Sequence, residues 1–147
     1  MSTSRYLKPF IDGVLPKKMV FIGGPRQVGK TTLSVEYLRP SSTSNPQYLN
    51  WDRQSDQAIT LRDQIPLSSK TLVLDEVHKY KKWRALVKGL YDKYHHEHQI
   101  IVTGSARLDS LSKGGDSMLG RYRYFRLHPF SLPELNKRPS KGDLESL

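Results

Sequence analysis

Gly24, Gly29, Lys30 and Thr31 stand in the segment Gly24-Pro25-Arg26-Gln27-Val28-Gly29-Lys30-Thr31, which fits the pattern G-x-x-x-x-G-K-[ST]. Glycine at these two places lets the backbone turn its N–H groups toward one centre, and a helix beginning near Lys30 adds partial positive charge. Lys30 brings a point charge for phosphate oxygens, and the Thr31 hydroxyl is a hard oxygen ligand suited to Mg²⁺. Residues 24–32, Thr32 included, thus read as a cradle for the phosphates of a nucleotide. A second pair, Asp75-Glu76, closes an apolar run. There Asp75 would hold Mg²⁺ or its water ligand, and Glu76 would orient or deprotonate an attacking water. Alone, an Asp-Glu pair at a strand end is more often a solvated turn; the phosphate loop upstream reverses that preference. Thr103-Gly104-Ser105 is a third, weaker feature, with hydroxyls able to meet the same water or a terminal phosphate, or simply to close a strand.

Positioning these groups requires strands that end where the chemistry is. KKMVFIGG at 17–24 carries Val20, Phe21 and Ile22 ahead of two glycines, the pattern of a buried parallel strand. KTTLSVEYLR predicts a helix from about 30 to 39, stopped by Pro40. SSTSNPQ at 41–47 reads as a loop leading into a short strand near Tyr48 to Asp52, and 53–64 as a polar helix. TLVLDE at 71–76 is a third strand, and Leu86, Val87, Leu90, Tyr91 and Tyr94 recur at helical spacing over 83–94. QIIVTGS at 99–105 and the alternating RYRYFRL at 121–127 supply two further strands. Strands alternating with helices predict an α/β fold, a three-layer αβα arrangement around a mainly parallel sheet of about five strands.

The 147 residues suit one domain, read as a core over 1–135 and a charged tail over 136–147. No apolar run approaches the roughly 20 residues of a membrane span, and the first ten residues carry no signal-peptide core, so a cytoplasmic, membrane-free setting is expected. Absence of cysteine excludes disulfides, thiolate metal sites and thiol nucleophiles from this sequence. With 24 Lys and Arg against 14 Asp and Glu, the net charge of +10 favours an anionic partner. DNA or RNA is one such partner, through the basic and aromatic stretches 79–84 and 121–126; the alternation in the second is equally that of a strand with arginines outward. His95, His96 and His98 with Glu97 lack metal-site spacing and read as a solvated turn.

Taken in order, GGPRQVGKTT, TLVLDEVHK, IVTGSAR and GRYRYFRLHPFSLPEL resemble an ATPase of the AAA+ superfamily, over roughly Pro16 to Leu135. More narrowly, the chain is similar to a prokaryotic branch near the archaeal-type ATPases, whose core precedes a C-terminal domain of unknown function. The resemblance implies a P-loop NTPase fold with ATP and Mg²⁺ as ligands, Walker A at Gly24–Thr31, and Walker B at Leu72–Asp75. It further implies Glu76 as catalytic glutamate, Thr103 or Ser105 as a sensor of the γ-phosphate, and Arg121 as an arginine finger or phosphate sensor, acting in cis or across a homo-oligomer. The helical lid and C-terminal domain of that branch have no counterpart after Leu135, so a truncated core is expected. GTP is disfavoured, because Asn136-Lys137-Arg138-Pro139 puts proline where a guanine-reading aspartate would stand. The rivals to hydrolysis are a P-loop kinase and a nucleotide-dependent regulatory or nucleic-acid-binding switch with little turnover.

Overall fold

The computed structural model describes residues 5–105, 108, 118 and 120–129. The tail over 136–147 and Arg107 lie outside the described residues. The elements are α1 (Lys8–Val14), β1 (Met19–Gly23), α2 (Lys30–Val35), β2 (Tyr48–Asn50), α3 (Gln54–Leu61), β3 (Thr71–Asp75), a 3₁₀ turn at Val77–Lys79, α4 (Trp83–Tyr94), β4 (Gln99–Gly104) and β5 (Tyr122–Arg126). The strands form one five-stranded sheet in the order β2-β3-β4-β1-β5, every neighbouring pair parallel. The expected α/β, P-loop NTPase architecture is what the chain adopts.

Alternation along the strands divides the core in two. Met19 and Phe21, Leu72 and Leu74, and Ile100 and Val102 face α4, where Val87 and Leu90 are buried and Trp83 and Tyr94 pack alongside. Val20 and Ile22, Val73 and Ile101 face the opposite layer, closed by Leu7, Ile11 and Leu15 from the α1 region and by Leu33, Val35 and Leu38 from the α2 region. Both faces of β1, β3 and β4 are therefore covered, which explains their continuous apolar runs.

Two local expectations change. The helix from 30 does not reach 39: α2 ends at Val35, and the chain continues in tighter turns, Tyr37 N–H donating to Ser34 O at 3.2 Å and Leu38 N–H to Val35 O at 2.9 Å. This tightening tucks Leu38 into the core, at 1% exposure, ahead of Pro40. Helix α1 was not anticipated, although Leu7, Ile11 and Leu15, spaced four apart, form its buried stripe and Pro9 sits in its first turn.

Phe21 is fully buried, its ring stacked on Tyr122 at 4.6 Å and tilted against Trp83 at 6.2 Å. Phe21→Ala is expected to cost about 3–5 kcal/mol in urea unfolding with an unchanged m-value. Phe10→Ala, at a position 62% exposed, should stay within about 0.5 kcal/mol.

Candidate functional site

Between β1 and α2 the backbone makes a loop that only certain residues permit. Gly24 has φ +148°, and a Cβ there would lie 2.4 Å from the carbonyl oxygen of Leu127. Gly29, at φ +97°, is the N-cap of α2. The loop therefore packs directly on the exit of β5 and opens into the first turn of a helix. Lys30 begins that helix and is buried, its Nζ donating to the carbonyls of Gly24 at 2.9 Å and Pro25 at 2.6 Å, so the amine is held across the loop. Burial lowers its pKa from the ordinary lysine value, against the opposing pull of Glu76 and Asp75.

Asp75 ends β3 and shares its alternation with Val73, so its side chain projects toward the α1 and α2 layer. Register places Thr103 of β4 directly opposite. Its hydroxyl donates to Asp75 Oδ1 at 2.6 Å, while Thr31 from α2 donates to Oδ2 at 2.9 Å. The Tyr48 hydroxyl, from β2, also donates to Oδ2. Burial, then this hydrogen bond and the Asp75 charge, push the Tyr48 pKa far above the ordinary tyrosine value. Three hydroxyl donors from three elements thus meet one carboxylate that is 4% exposed. A carboxylate offers about four acceptor positions, so roughly one remains on Oδ1. Thr31 spends its hydrogen on Asp75 and keeps its lone pairs, so this oxygen-only set fits a hard cation such as Mg²⁺ beside the loop.

Glu76 follows in the left-handed region, φ +63°, with its N–H donating to Thr103 O at 2.9 Å. That turn brings the next residues back over the strand end. Glu76 Oε2 lies 3.6 Å from both His78 Nε2 and Lys79 Nζ, and Lys79 pairs with Asp52 at 2.8 Å. Its hydrogen bond to Asp52 is the main cause that raises the Lys79 pKa. The two halves enclose a cleft of about 960 Å³. Arg26, Gln27, Gly29, Lys30, Thr31 and Thr32 line one wall, and Asp52, Glu76, His78, Lys79 and Ser105 the other. Of the two hydroxyls proposed as a sensor, Ser105 lines this cleft, whereas Thr103 is fully buried and committed to Asp75.

Arg121 is not brought to the site. It precedes β5, its carbonyl accepts from Met19 N–H at the start of β1, and its Nε donates to Asp92 at 3.0 Å. The loop leaves the other end of β1, about 16 Å away along the strand. Its expected role as finger or sensor therefore does not hold within one subunit. The aromatic part of the nucleic-acid expectation also changes, because Tyr122 and Tyr124 pack on the core, as does Trp83, while Arg123 and Arg126 face outward. Sequence reasoning missed Tyr48, Asp52, His78 and Lys79. The one signal for His78 and Lys79 was their place directly after Glu76; Tyr48 and Asp52 join the site only through strand register and pairing. It also missed Arg5, 4% exposed, whose guanidinium donates to Val28 O at 2.7 Å and His128 O at 2.5 Å and so ties the loop to the residues after β5. Among the described residues, no group of acidic or histidine side chains is arranged to hold a metal by itself, and no helix is long and apolar enough to cross a membrane.

A family model described as an AAA domain matches residues 16–136, from just before β1 to beyond β5. Among curated proteins no match is found. Thr103→Val, which keeps the shape and removes one donor from buried Asp75, is expected to cost about 1–3 kcal/mol in denaturant unfolding. Ser105→Ala, at the cleft wall, should change stability by no more than about 0.5 kcal/mol.

Proposed function

The chain belongs to the AAA domain family of P-loop ATPases, and from that premise we propose that it binds MgATP in this cleft and hydrolyses it to ADP and phosphate. The observation that carries the reading is the Thr31–Asp75 hydrogen bond at 2.9 Å, which joins the phosphate loop to the strand end bearing Glu76. Backbone N–H groups of Gly24 and of residues 26–29, together with the Lys30 amine, bind the β- and γ-phosphates and offset charge that develops on them. Thr31, through its hydroxyl oxygen, and Asp75, directly or through a water ligand, would hold Mg²⁺, which would supply charge neutralisation for the phosphates.

Glu76 orients a water in line with the γ-phosphorus and accepts its proton as the water oxygen bonds to phosphorus and the bond to the ADP oxygen breaks. Ser105 contacts the γ-phosphate, and Thr103 acts through Asp75. Glu76 adjacent to Asp75, together with the separate strand that brings the hydroxyls of Thr103 and Ser105, favours water as nucleophile over the alcohol of a kinase substrate. ATP is preferred to GTP because Asn136-Lys137-Arg138-Pro139 lacks the guanine-reading aspartate. We also place the chain in the prokaryotic branch near the archaeal-type ATPases, working with a C-terminal domain. In a homo-oligomer of that kind Arg121 serves a neighbouring subunit's site.

Two variants test the assignment by calorimetric ATP binding and phosphate release. Lys30→Ala is expected to weaken ATP binding about 100-fold or more, and Glu76→Gln to keep affinity while lowering kcat by about 10²–10⁴-fold. Equal turnover by wild type and Glu76→Gln would reject Glu76 as the base. ATP bound by wild type without turnover would make this core a nucleotide switch.

A further inference from the structure

His78 occupies the middle of the 3₁₀ turn after β3, and the hydrolysis reading gives it no task. Its side chain is 7% exposed even though it lines the cleft. Nε2 shares a hydrogen bond with the Ser105 hydroxyl at 3.2 Å and lies 3.6 Å from Glu76 Oε2. The opposite edge of the ring rests on Gly104, where a Cβ would meet Nδ1 at 2.4 Å and Cε1 at 2.8 Å. No side chain other than hydrogen leaves room for the imidazole there, so Gly104 fixes the ring's place between Ser105 and Glu76.

The second neighbour of Glu76 is different in kind. Lys79 Nζ is also 3.6 Å away, but its side chain is 45% exposed and it makes its shorter contact, 2.8 Å, with Asp52. Glu76 is therefore flanked by one buried, sterically fixed ring and one half-exposed cation engaged more closely by Asp52. The ring also touches Ser105.

We propose that His78 is a positioning residue that couples Ser105 to Glu76, so that a phosphoryl group engaged by Ser105 sets the Glu76 carboxylate in line for attack. It rests on the hydrolysis reading above. The imidazole need not exchange a proton with substrate; it acts as a rigid link whose one nitrogen faces both groups. Contact with the terminal phosphate at Ser105 and readiness of the base then become one event, and ADP, lacking that phosphate, leaves the base unset.

The test uses His78→Ala, His78→Gln, Ser105→Ala and Gly104→Ala. The last leaves every polar group in the chain and displaces only the ring. ADP affinity should stay within about twofold of wild type in all four, while kcat falls about tenfold or more in His78→Ala, Ser105→Ala and Gly104→Ala. His78→Gln, whose amide nitrogen reaches toward the Nε2 position, should recover part of that loss. The pair His78→Ala with Ser105→Ala should be no slower than the worse single variant, since both cut the same link. Binding of ADP with aluminium fluoride, a planar mimic of the transferring phosphoryl group, should weaken in the same three variants.

Urea unfolding of each variant separates this from loss of fold. An unchanged kcat in His78→Ala, with Glu76→Gln inactive, would overturn the proposal and leave the hydrolysis reading intact. Losses in His78→Ala and Ser105→Ala that multiply in the double variant would overturn it too. Wild-type turnover that survives Glu76→Gln would overturn the hydrolysis reading and this proposal with it.

Discussion

The carboxylate of Asp75 is the point on which this structure depends. It is nearly excluded from water and takes hydroxyl hydrogens from Thr31 of α2, Tyr48 of β2 and Thr103 of β4. A charge taken out of water is costly, and truncating one partner of such a cluster leaves the rest under-satisfied. Satisfying it therefore fixes the helix after the phosphate loop, the edge strand and the central strand relative to β3. The same donors that stabilise the buried group also set the place of the Thr31 hydroxyl, the oxygen proposed to hold the cation.

Strand order explains why these donors are available. β4 is inserted between β1 and β3, so the strand that feeds the phosphate loop and the strand that carries the acidic pair are separated by one carrying Thr103 and Ser105. Parallel register brings Asp75 opposite Thr103 and Gly23 opposite Gly104. Every strand then ends on one edge, and loop, acids and hydroxyls share it. Arg121 enters its strand at the other edge, which is why a role in its own subunit's site fails on placement rather than on chemistry.

The phosphate loop was legible because its demands are local: glycine at φ +148° and +97°, lysine and threonine at fixed offsets on one helix turn. Elements with long apolar runs or clear periodicity, β1, β3, β4 and α4, were legible for the same reason. The Asp75 cluster was not, since Tyr48 and Thr103 meet that carboxylate only once β4 lies between β1 and β3, and no spacing along the chain encodes an inserted strand. Tyr48 also reads as an ordinary core aromatic. The place of His78 was not legible, because Gly104 and Ser105 are more than twenty residues away and reach it only through the sheet. The tyrosines of 122–126 could be read as stacking platforms until their own face of β5 proved to be packed on the core, Tyr122 against Phe21.

Thr31 and Asp75 are proposed to make together a cation site that serves the nucleotide in the loop. Its most direct test is the ATP dissociation constant measured with Mg²⁺ and with EDTA, in wild type and in Asp75→Asn. Mg²⁺ should tighten ATP binding by about tenfold or more in wild type and by much less in Asp75→Asn, while the EDTA values stay close. An equal Mg²⁺ effect in the two proteins, with both folded, would contradict it.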